Sequence, residues 1–102
     1  MTATVSQILT FAYDSIAIDN TVGGIRLTLA NVRATPPAQR IFFTVESAQI
    51  RYLTSGTAPT SSEGHLLNPN DSAVLENRSD IENFRAIRTG GTSATIRVSY
   101  QR

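Results

Sequence analysis

The stretch Ala94-Thr95-Ile96-Arg97-Val98-Ser99-Tyr100 decides the fold class of this chain. Every second residue in it, from Ala94 to Tyr100, is apolar, and the residues between them are polar. Because side chains alternate between the two faces of a β-strand, this pattern places one face on a core and the other in water. The stretch therefore predicts a half-buried strand in a sheet that is covered on one side only.

Further segments share these features of short β-strands, with alternating apolar residues and turn residues at their ends. They are Gln7–Ile18, Ile25–Ala30, Arg40–Glu46, Gln49–Thr54, Ala73–Leu75 and Phe84–Thr89. Nowhere does the sequence show a sustained helical period. With the final strand, these segments predict an all-β fold, an antiparallel β-sandwich of about seven strands with an Ig-like or jelly-roll-like topology.

Short connections suggest which of these strands are paired. Ser47-Ala48 joins two predicted strands, and Thr89-Gly90-Gly91-Thr92 leads into the final one. Both connections have the length of hairpin turns, so we expect the strands on either side of each to be neighbours in a sheet. Ser79 lies three residues before Glu82, the spacing of a capping box, which predicts at most one helical or 3₁₀ turn.

The first predicted strand changes its phase part of the way along. Phe11 and Tyr13 fall on one face, whereas Ile18 falls on the other. A one-residue slip reverses the facing of all later side chains, so we expect a bulge or bend at Asp14-Ser15. All three tyrosines of the chain lie in alternating segments, and we expect them in the core.

The composition limits both the organisation and the partners of the protein. A chain of 102 residues is the size of one domain. We expect Met1–Ser6 to form a flexible N-terminal arm and residues 7–102 to form a single β-sandwich domain. The net charge of +1 gives no bulk attraction to nucleic acid or to an anionic membrane, so neither is expected as a direct partner. No apolar run approaches the roughly 20 residues that span a bilayer, and we expect a soluble, cytoplasmically made chain.

Few residues are suited to catalysis or to metal binding. The chain has no cysteine, which excludes disulfides, thiolate zinc sites and cysteine nucleophiles. His65 is the single histidine, and no Gly-x-Ser-x-Gly nucleophile turn accompanies it. The acidic residues between Asp71 and Glu82 do not have the spacing of a calcium loop. We therefore expect no enzyme, no catalytic residue, no metal site and no cofactor.

The segment from Arg40 to Tyr100 resembles a family of small tailed-bacteriophage virion proteins. The matching residues are Thr44-Val45-Glu46, Ile50-Arg51-Tyr52, Gly56-Thr57-Ala58-Pro59-Thr60, Gly64-His65-Leu66-Leu67, Asp71-Ser72, Leu75-Glu76, Ile81, Phe84-Arg85-Ala86-Ile87-Arg88 and Ala94-Thr95-Ile96-Arg97-Val98-Ser99-Tyr100. The same stretch is similar to the small Ig-like module at the C-terminus of chitobiase-type enzymes. Both resemblances imply a β-sandwich.

The phage resemblance implies a structural role in the virion. The expected function is that of a capsid decoration or auxiliary protein, which binds the capsid lattice and stabilises it through many modest contacts. Its partners would be the major capsid protein or another virion protein, with a homo-oligomer expected. It would lie on the capsid surface and, during assembly, in the host cytoplasm. The alternatives are a head–tail or tail-associated structural protein, or a carbohydrate-binding Ig-like adhesion module.

Exposed loops on a rigid sandwich are the expected contact regions, since loops on such scaffolds commonly carry binding. The regions are the N-terminal arm, the loop with two prolines, and the long polar loop that follows the fourth predicted strand. The residues chosen in them are Thr2, Thr4, Pro36, Pro37, Thr57, Pro59, Ser61 and Glu63. A carbohydrate-binding module would instead need exposed aromatic residues in a row on one face.

Overall fold

The structure is a computed structural model that describes residues 9–102. The arm predicted for Met1–Ser6 lies outside these residues. In chain order the elements are β1 (Thr10–Ile18), α1 (Leu29–Val32), β2 (Arg40–Glu46), β3 (Ile50–Leu53), β4 (His65–Leu67), β5 (Ser72–Leu75), α2 (Arg78–Asn83), β6 (Arg85–Arg88) and β7 (Ala94–Gln101).

The strands form two antiparallel sheets that pack against each other. The larger sheet has the strand order β1-β7-β2-β5, and the smaller one has the order β4-β3-β6. Seven strands are therefore present within the described residues, and the predicted all-β antiparallel sandwich is confirmed. The final strand, β7, lies between β1 and β2, so the stretch with the clearest alternation forms the centre of the larger sheet.

The core lies between the two sheets and is entirely apolar within the described part of the chain. Ile96, Val98 and Tyr100 of β7 are fully buried, as their alternation predicts. Phe43 of the larger sheet makes an edge-on contact with Phe84, with 5.4 Å between the ring centroids. Burial of such side chains contributes about 1.5–3 kcal/mol each, which makes this shared layer the main source of stability.

The predicted strand over Ile25–Ala30 is wrong. Only Ile25 makes a strand-like contact, in a bridge with Ala86 of the edge strand β6. The chain then forms the short helix α1, in which the Thr28 carbonyl accepts hydrogen bonds from the N–H groups of the turn that follows. The chain must leave the edge of the smaller sheet here and cross to β2 in the larger one, and the helical turn satisfies its backbone groups on the way.

Both predicted hairpins are also wrong. β2 pairs with β5 and β7, whereas β3 pairs with β4 and β6, so the connection at Ser47-Ala48 crosses between sheets. Ser47 has a φ of 79°, which allows the sharp change of direction. The glycine-rich connection from β6 to β7 crosses between the sheets in the same way. A short connection constrains the distance between two strand ends but does not require that they pair.

The bulge in β1 lies earlier than predicted. The register against β7 shifts between Thr10 and Ala12 and is continuous through Asp14-Ser15. Asp14 points to the same side as Ile16 and Ile18, and its carboxylate accepts a hydrogen bond from the buried Tyr100. Because Asp14 is polar although it lies on the inner face, the sequence shows an apparent change of phase at this position.

The capping prediction for α2 is partly wrong. The helix is present, but with six residues it is longer than the single turn predicted. Its N-cap is Asn77, whose side chain accepts hydrogen bonds from the N–H groups of Ser79 and Asp80. Glu82 does not reach back to cap the helix and instead forms ion pairs with arginines. Asparagine and serine are about equally good N-caps, so the local sequence offered two starting points for this helix.

Candidate functional site

The structure places the predicted contact residues in two separate regions. Pro36 and Pro37 precede β2 and lie near the end of β7, where the Arg102 guanidinium donates a hydrogen bond to the Pro36 carbonyl. Thr57, Pro59, Ser61 and Glu63 share the long polar loop between β3 and β4. Thr2 and Thr4 lie outside the described residues.

The long polar loop is folded back onto the smaller sheet. Arg51 of β3 holds it through hydrogen bonds to the carbonyls of Ser61, at 3.2 Å, and Gly64, at 2.9 Å. Within the loop, Pro59 is buried, whereas Thr57 and Glu63 are exposed. Most of the predicted contact residues in this loop are therefore exposed to solvent, on a backbone that Arg51 holds in place.

A groove of about 510 Å³ lies between this loop and the turn that follows β1. Its lining includes two of the predicted contact residues, Pro59 and Ser61, and omits Thr57 and Glu63. The remaining lining residues are Asn20, Val22, Gly23, Ala58, Thr60, Ile87, Arg88, Thr89 and Gly90. Hydroxyl and amide groups border a mostly apolar floor, a composition common in small binding sites.

Gly24 is required for the close packing beside this groove. It has a φ of +81°, and a Cβ atom there would lie 3.0 Å from the Cβ of Arg85 and 3.2 Å from the Cδ of Pro59. Both the conformation and the space therefore favour glycine. The absence of a side chain at Gly24 therefore allows the turn after β1 and the long loop to approach each other closely.

A second surface is the outer face of the larger sheet, which points away from the core. The strand registers align Tyr13 of β1 with Ser99 of β7, Ser99 with Phe42 of β2, and Phe42 with Val74 of β5. We call these four residues the cross-sheet row. Tyr13 is 57% exposed, Phe42 39% and Val74 38%, so the row presents apolar side chains across the full width of the sheet.

The core position expected for Tyr13 is therefore wrong. Because the bulge adds one residue before Ala12, Tyr13 lies on the solvent side of β1. Tyr100 is fully buried, as expected, and Tyr52 is partly buried against the core.

The cross-sheet row is bordered by an ion pair. Arg97 donates a hydrogen bond from Nε to the Glu46 carboxylate at 2.8 Å, and from Nη1 to Ser15 at 2.9 Å and the Tyr13 hydroxyl at 3.4 Å. The hydrogen bond from Arg97 lowers the pKa of Glu46. Hydrogen bonds with Ser15 and then with Arg97 lower the pKa of Tyr13. The Tyr13 side chain therefore leans along the sheet towards Arg97, with much of its surface open to solvent.

A third group of polar residues joins the two short helices. Arg26, Arg33 and Arg78 all form ion pairs with Glu82, at 3.7 Å from Arg26 and 3.6 Å from Arg78. Arg78 also donates hydrogen bonds to the carbonyls of Val32 and Ala38. These hydrogen bonds and ion pairs connect α2 to the segment around α1, so this group of residues stabilises the fold.

No group of three or more histidine, aspartate or glutamate side chains within residues 9–102 is arranged to hold a metal ion. In the same part of the chain, no helix has the length and apolarity needed to cross a membrane. Comparisons of the chain with protein-family models, with curated proteins and with solved structures gave no match.

Part of this outer face could be foreseen from the sequence. Phe42 stands between the core residues Ile41 and Phe43, so the alternation alone places its ring on the opposite side of β2. The exposure of Tyr13 was missed because the bulge was assigned to the wrong position. The place of Val74 in the row was missed because it depends on the pairing of β5 with β2, which the local sequence does not show. The half of the groove that includes Val22 depends on how the loop folds, which no local pattern shows.

Proposed function

We propose that the protein is a structural component of a bacteriophage particle, a capsid decoration or auxiliary protein that works by binding other protein surfaces. The observation that carries this proposal is the exposed cross-sheet row. Tyr13, Phe42 and Val74 form a line of apolar side chains on a regular sheet, beside an arginine. Aromatic residues and arginine are the types enriched in the centres of protein–protein interfaces.

The rest of the molecule suits a role based on shape. The core between the sheets is fully apolar in the described part of the chain, so the sandwich is a stable scaffold that holds its exposed faces and loops in place. The polar loop held by Arg51 presents Thr57 and Glu63 to solvent. Together with the Pro36-Pro37 loop, which lies near the end of β7, it would offer contact points to a capsid lattice. Many copies that each bind weakly would stabilise such a lattice collectively.

Copy number in purified particles tests this proposal. Quantitative mass spectrometry of particles from the phage that carries the gene should find the chain in a near-stoichiometric ratio to the major capsid protein. A ratio of a few copies per particle would contradict a decoration role and would favour a head–tail or tail-associated position. Absence of the chain from the particles would contradict any structural role in the virion.

A binding assay then tests the face itself. Particles that lack the protein should bind added protein, and Phe42→Asp should weaken that binding, because a charge in the row cannot be desolvated cheaply. Leu66→Asp is the matched control, since Leu66 is 43% exposed, much as Phe42 is, and lies in β4 of the smaller sheet. Equal binding by the two variants would show that the row is not a contact surface.

Exposed aromatic residues also favour the second candidate, a carbohydrate-binding module. Tyr13 and Phe42 lie on the same face, two strand spacings apart, or about 10 Å. Aromatic rings at such a spacing stack on the apolar faces of sugar rings, and Ser99 and Ser15 would supply hydroxyl groups nearby. A glycan array separates the two candidates. Specific glycan binding that Tyr13→Ala abolishes would support this module, and an array without signal would reject it.

A further inference from the structure

We propose that the outer face of the larger sheet is covered by the same face of a second copy of this chain. The inference rests on the proposed function in one respect, because it names the protein that covers the cross-sheet row. The two copies would be related by a two-fold axis that runs parallel to the strands, between β7 and β2. Each copy then presents the same surface to the other, as in most closed dimers.

The order of side-chain sizes along the row favours this arrangement. From β1 to β5 the row reads Tyr13, Ser99, Phe42 and Val74. Rotation about the proposed axis places β1 over the β5 of the other copy and β7 over its β2. Tyr13 then faces Val74, and Ser99 faces Phe42, so each aromatic ring meets a smaller side chain. Such alternation of large and small groups allows two sheets to interdigitate at about 10 Å.

The alternative axis, perpendicular to the strands, does not give this match. It would reverse the strand direction and place each strand over the same strand of the other copy. With the axis on the row, Tyr13 would face Tyr13 and Phe42 would face Phe42, so large side chains would oppose each other while Ser99 faced Ser99. With the axis midway to the next row, Phe42 would face Thr44 and Ser99 would face Arg97, and the apolar side chains would no longer meet.

Charge complementarity supports the axis parallel to the strands. Arg97 of β7 would face Thr44 in the other copy, and Glu46 lies two residues further along the same strand of that copy. This is a diagonal position within reach of a long guanidinium side chain. Each Arg97 would contact a Glu46 of its own chain, at 2.8 Å, and that of its partner. The two-fold axis repeats this contact, so both ion pairs are extended at once.

The size of the face sets the expected strength. Four strands at about 4.8 Å spacing and about 20 Å of strand length give a projected area of roughly 400 Å² per copy. Both faces together would bury roughly 800 Å², in the range of weak and transient interfaces. We therefore expect a dimer with a dissociation constant between about 10 µM and 1 mM. Copies on a lattice have a high local concentration, which would make this weak contact effective.

Sedimentation velocity of the purified protein tests the inference without any particle present. The dimer fraction should rise between about 10 µM and 1 mM. Phe42→Asp should weaken association at least about tenfold, whereas Leu66→Asp, at a 43% exposed position of β4 in the smaller sheet, should associate like the parent protein. Circular dichroism of each variant checks that the sandwich is retained. A protein that stays monomeric, forms an assembly other than a dimer, or dimerises equally with Phe42→Asp would overturn the inference.

Cross-linking tests the geometry and does not disturb the row. Ser15 of β1 and Ser72 of β5 are exposed and lie outside the cross-sheet row. The strand registers align Ser15 with Arg97, Arg97 with Thr44, and Thr44 with Ser72, so the two serines stand at opposite edges of the sheet. The chain has no cysteine, so Ser15→Cys and Ser72→Cys each introduce a single reactive thiol. A short bis-maleimide should link a mixture of the two variants efficiently and should link neither variant alone.

The pattern of linking distinguishes between possible arrangements of the two copies. Linking only in the mixture supports the parallel axis, because Ser15 of one copy would then lie over Ser72 of the other. Equal linking by Ser72→Cys alone would indicate edge-to-edge pairing through β5 and would overturn the inference, as would no linking at all. A monomeric protein that is abundant in particles would leave the proposed function standing, and a dimer that is absent from particles would leave the inference standing.

Discussion

At the scale of single residues, Tyr100 shows how one polar group is accommodated in an apolar core. Its ring is fully buried, while its hydroxyl donates a hydrogen bond to the Asp14 carboxylate at 3.1 Å and accepts one from the N–H of Thr28 at 3.3 Å. Burial, and then the charge of Asp14, raise the pKa of Tyr100 to about 12. The hydroxyl therefore stays protonated and joins β7, β1 and the segment before α1.

Tyr100→Phe should lower the free energy of unfolding at pH 7 by about 1–2 kcal/mol, because Thr28 and Asp14 lose a partner. The neutral tyrosine stabilises the fold fully below its ordinary pKa of about 10, and this contribution disappears as the pH rises through about 12. The difference between the two proteins should therefore shrink over that interval. Urea unfolding across this pH range measures it.

Tyr13→Phe is the matched control, since Tyr13 is exposed and its hydroxyl lies on the outer face. It should leave the stability at neutral pH almost unchanged. Equal stabilities of Tyr100→Phe and the parent protein would contradict the role given to the buried hydroxyl.

At the scale of elements, the ion pairs of Glu82 hold two short helices that have little stability of their own. α1 has four residues and α2 has six, far below the length at which isolated helices form. The hydrogen bond from Arg33 lowers the pKa of Glu82 most, followed by the charges of Arg33, Arg78 and Arg26. Tertiary contacts of this kind, rather than helical propensity, keep both helices in place.

Glu82→Gln should lower the free energy of unfolding at pH 7 by on the order of 1 kcal/mol, since solvent screens partly exposed ion pairs. Because the folded-state pKa of Glu82 is lowered, its contribution is present above the ordinary value of about 4.3 and is lost as the pH falls below it. The parent protein and the variant should therefore converge in acid.

Chemical unfolding at neutral and acidic pH checks this expectation. Glu76→Gln, at an exposed position just after β5, is the control and should behave like the parent protein. A gap between Glu82→Gln and the parent that stays constant as the pH falls would show that charge is not the cause.

The elements also show where local reasoning was sufficient. β2 and β7 follow strict alternation and were predicted almost to the residue, because each has one face in the core and one in solvent. β1 was placed correctly, and Ile16 and Ile18 lie on one face as expected, but Tyr13 was assigned to the wrong face, since Asp14 is polar on the inner side and Phe11 sits at the shift in register. α1 was missed because Ile25, Leu27 and Leu29 have strand-like spacing.

At the scale of the whole molecule, the class of fold followed from the sequence, but the pairing of strands did not. The connection at Ser47-Ala48 is as short as a hairpin and yet crosses between sheets. Which strands lie side by side is decided by the packing of the complete core, so the register that aligns Tyr13 with Phe42 through Ser99 had no local signal. The composition of the outer face therefore depends on the order and register of β1, β7, β2 and β5 in the sheet.

We propose that this assembled face is an interface between proteins. A cryo-electron microscopy map of the phage particle tests it most directly, because it would show what lies against Tyr13, Phe42 and Val74. We predict density for this sandwich on the outside of the capsid, with the cross-sheet row of each copy buried against protein. A particle without such density, or one in which the row faces solvent, would contradict the account.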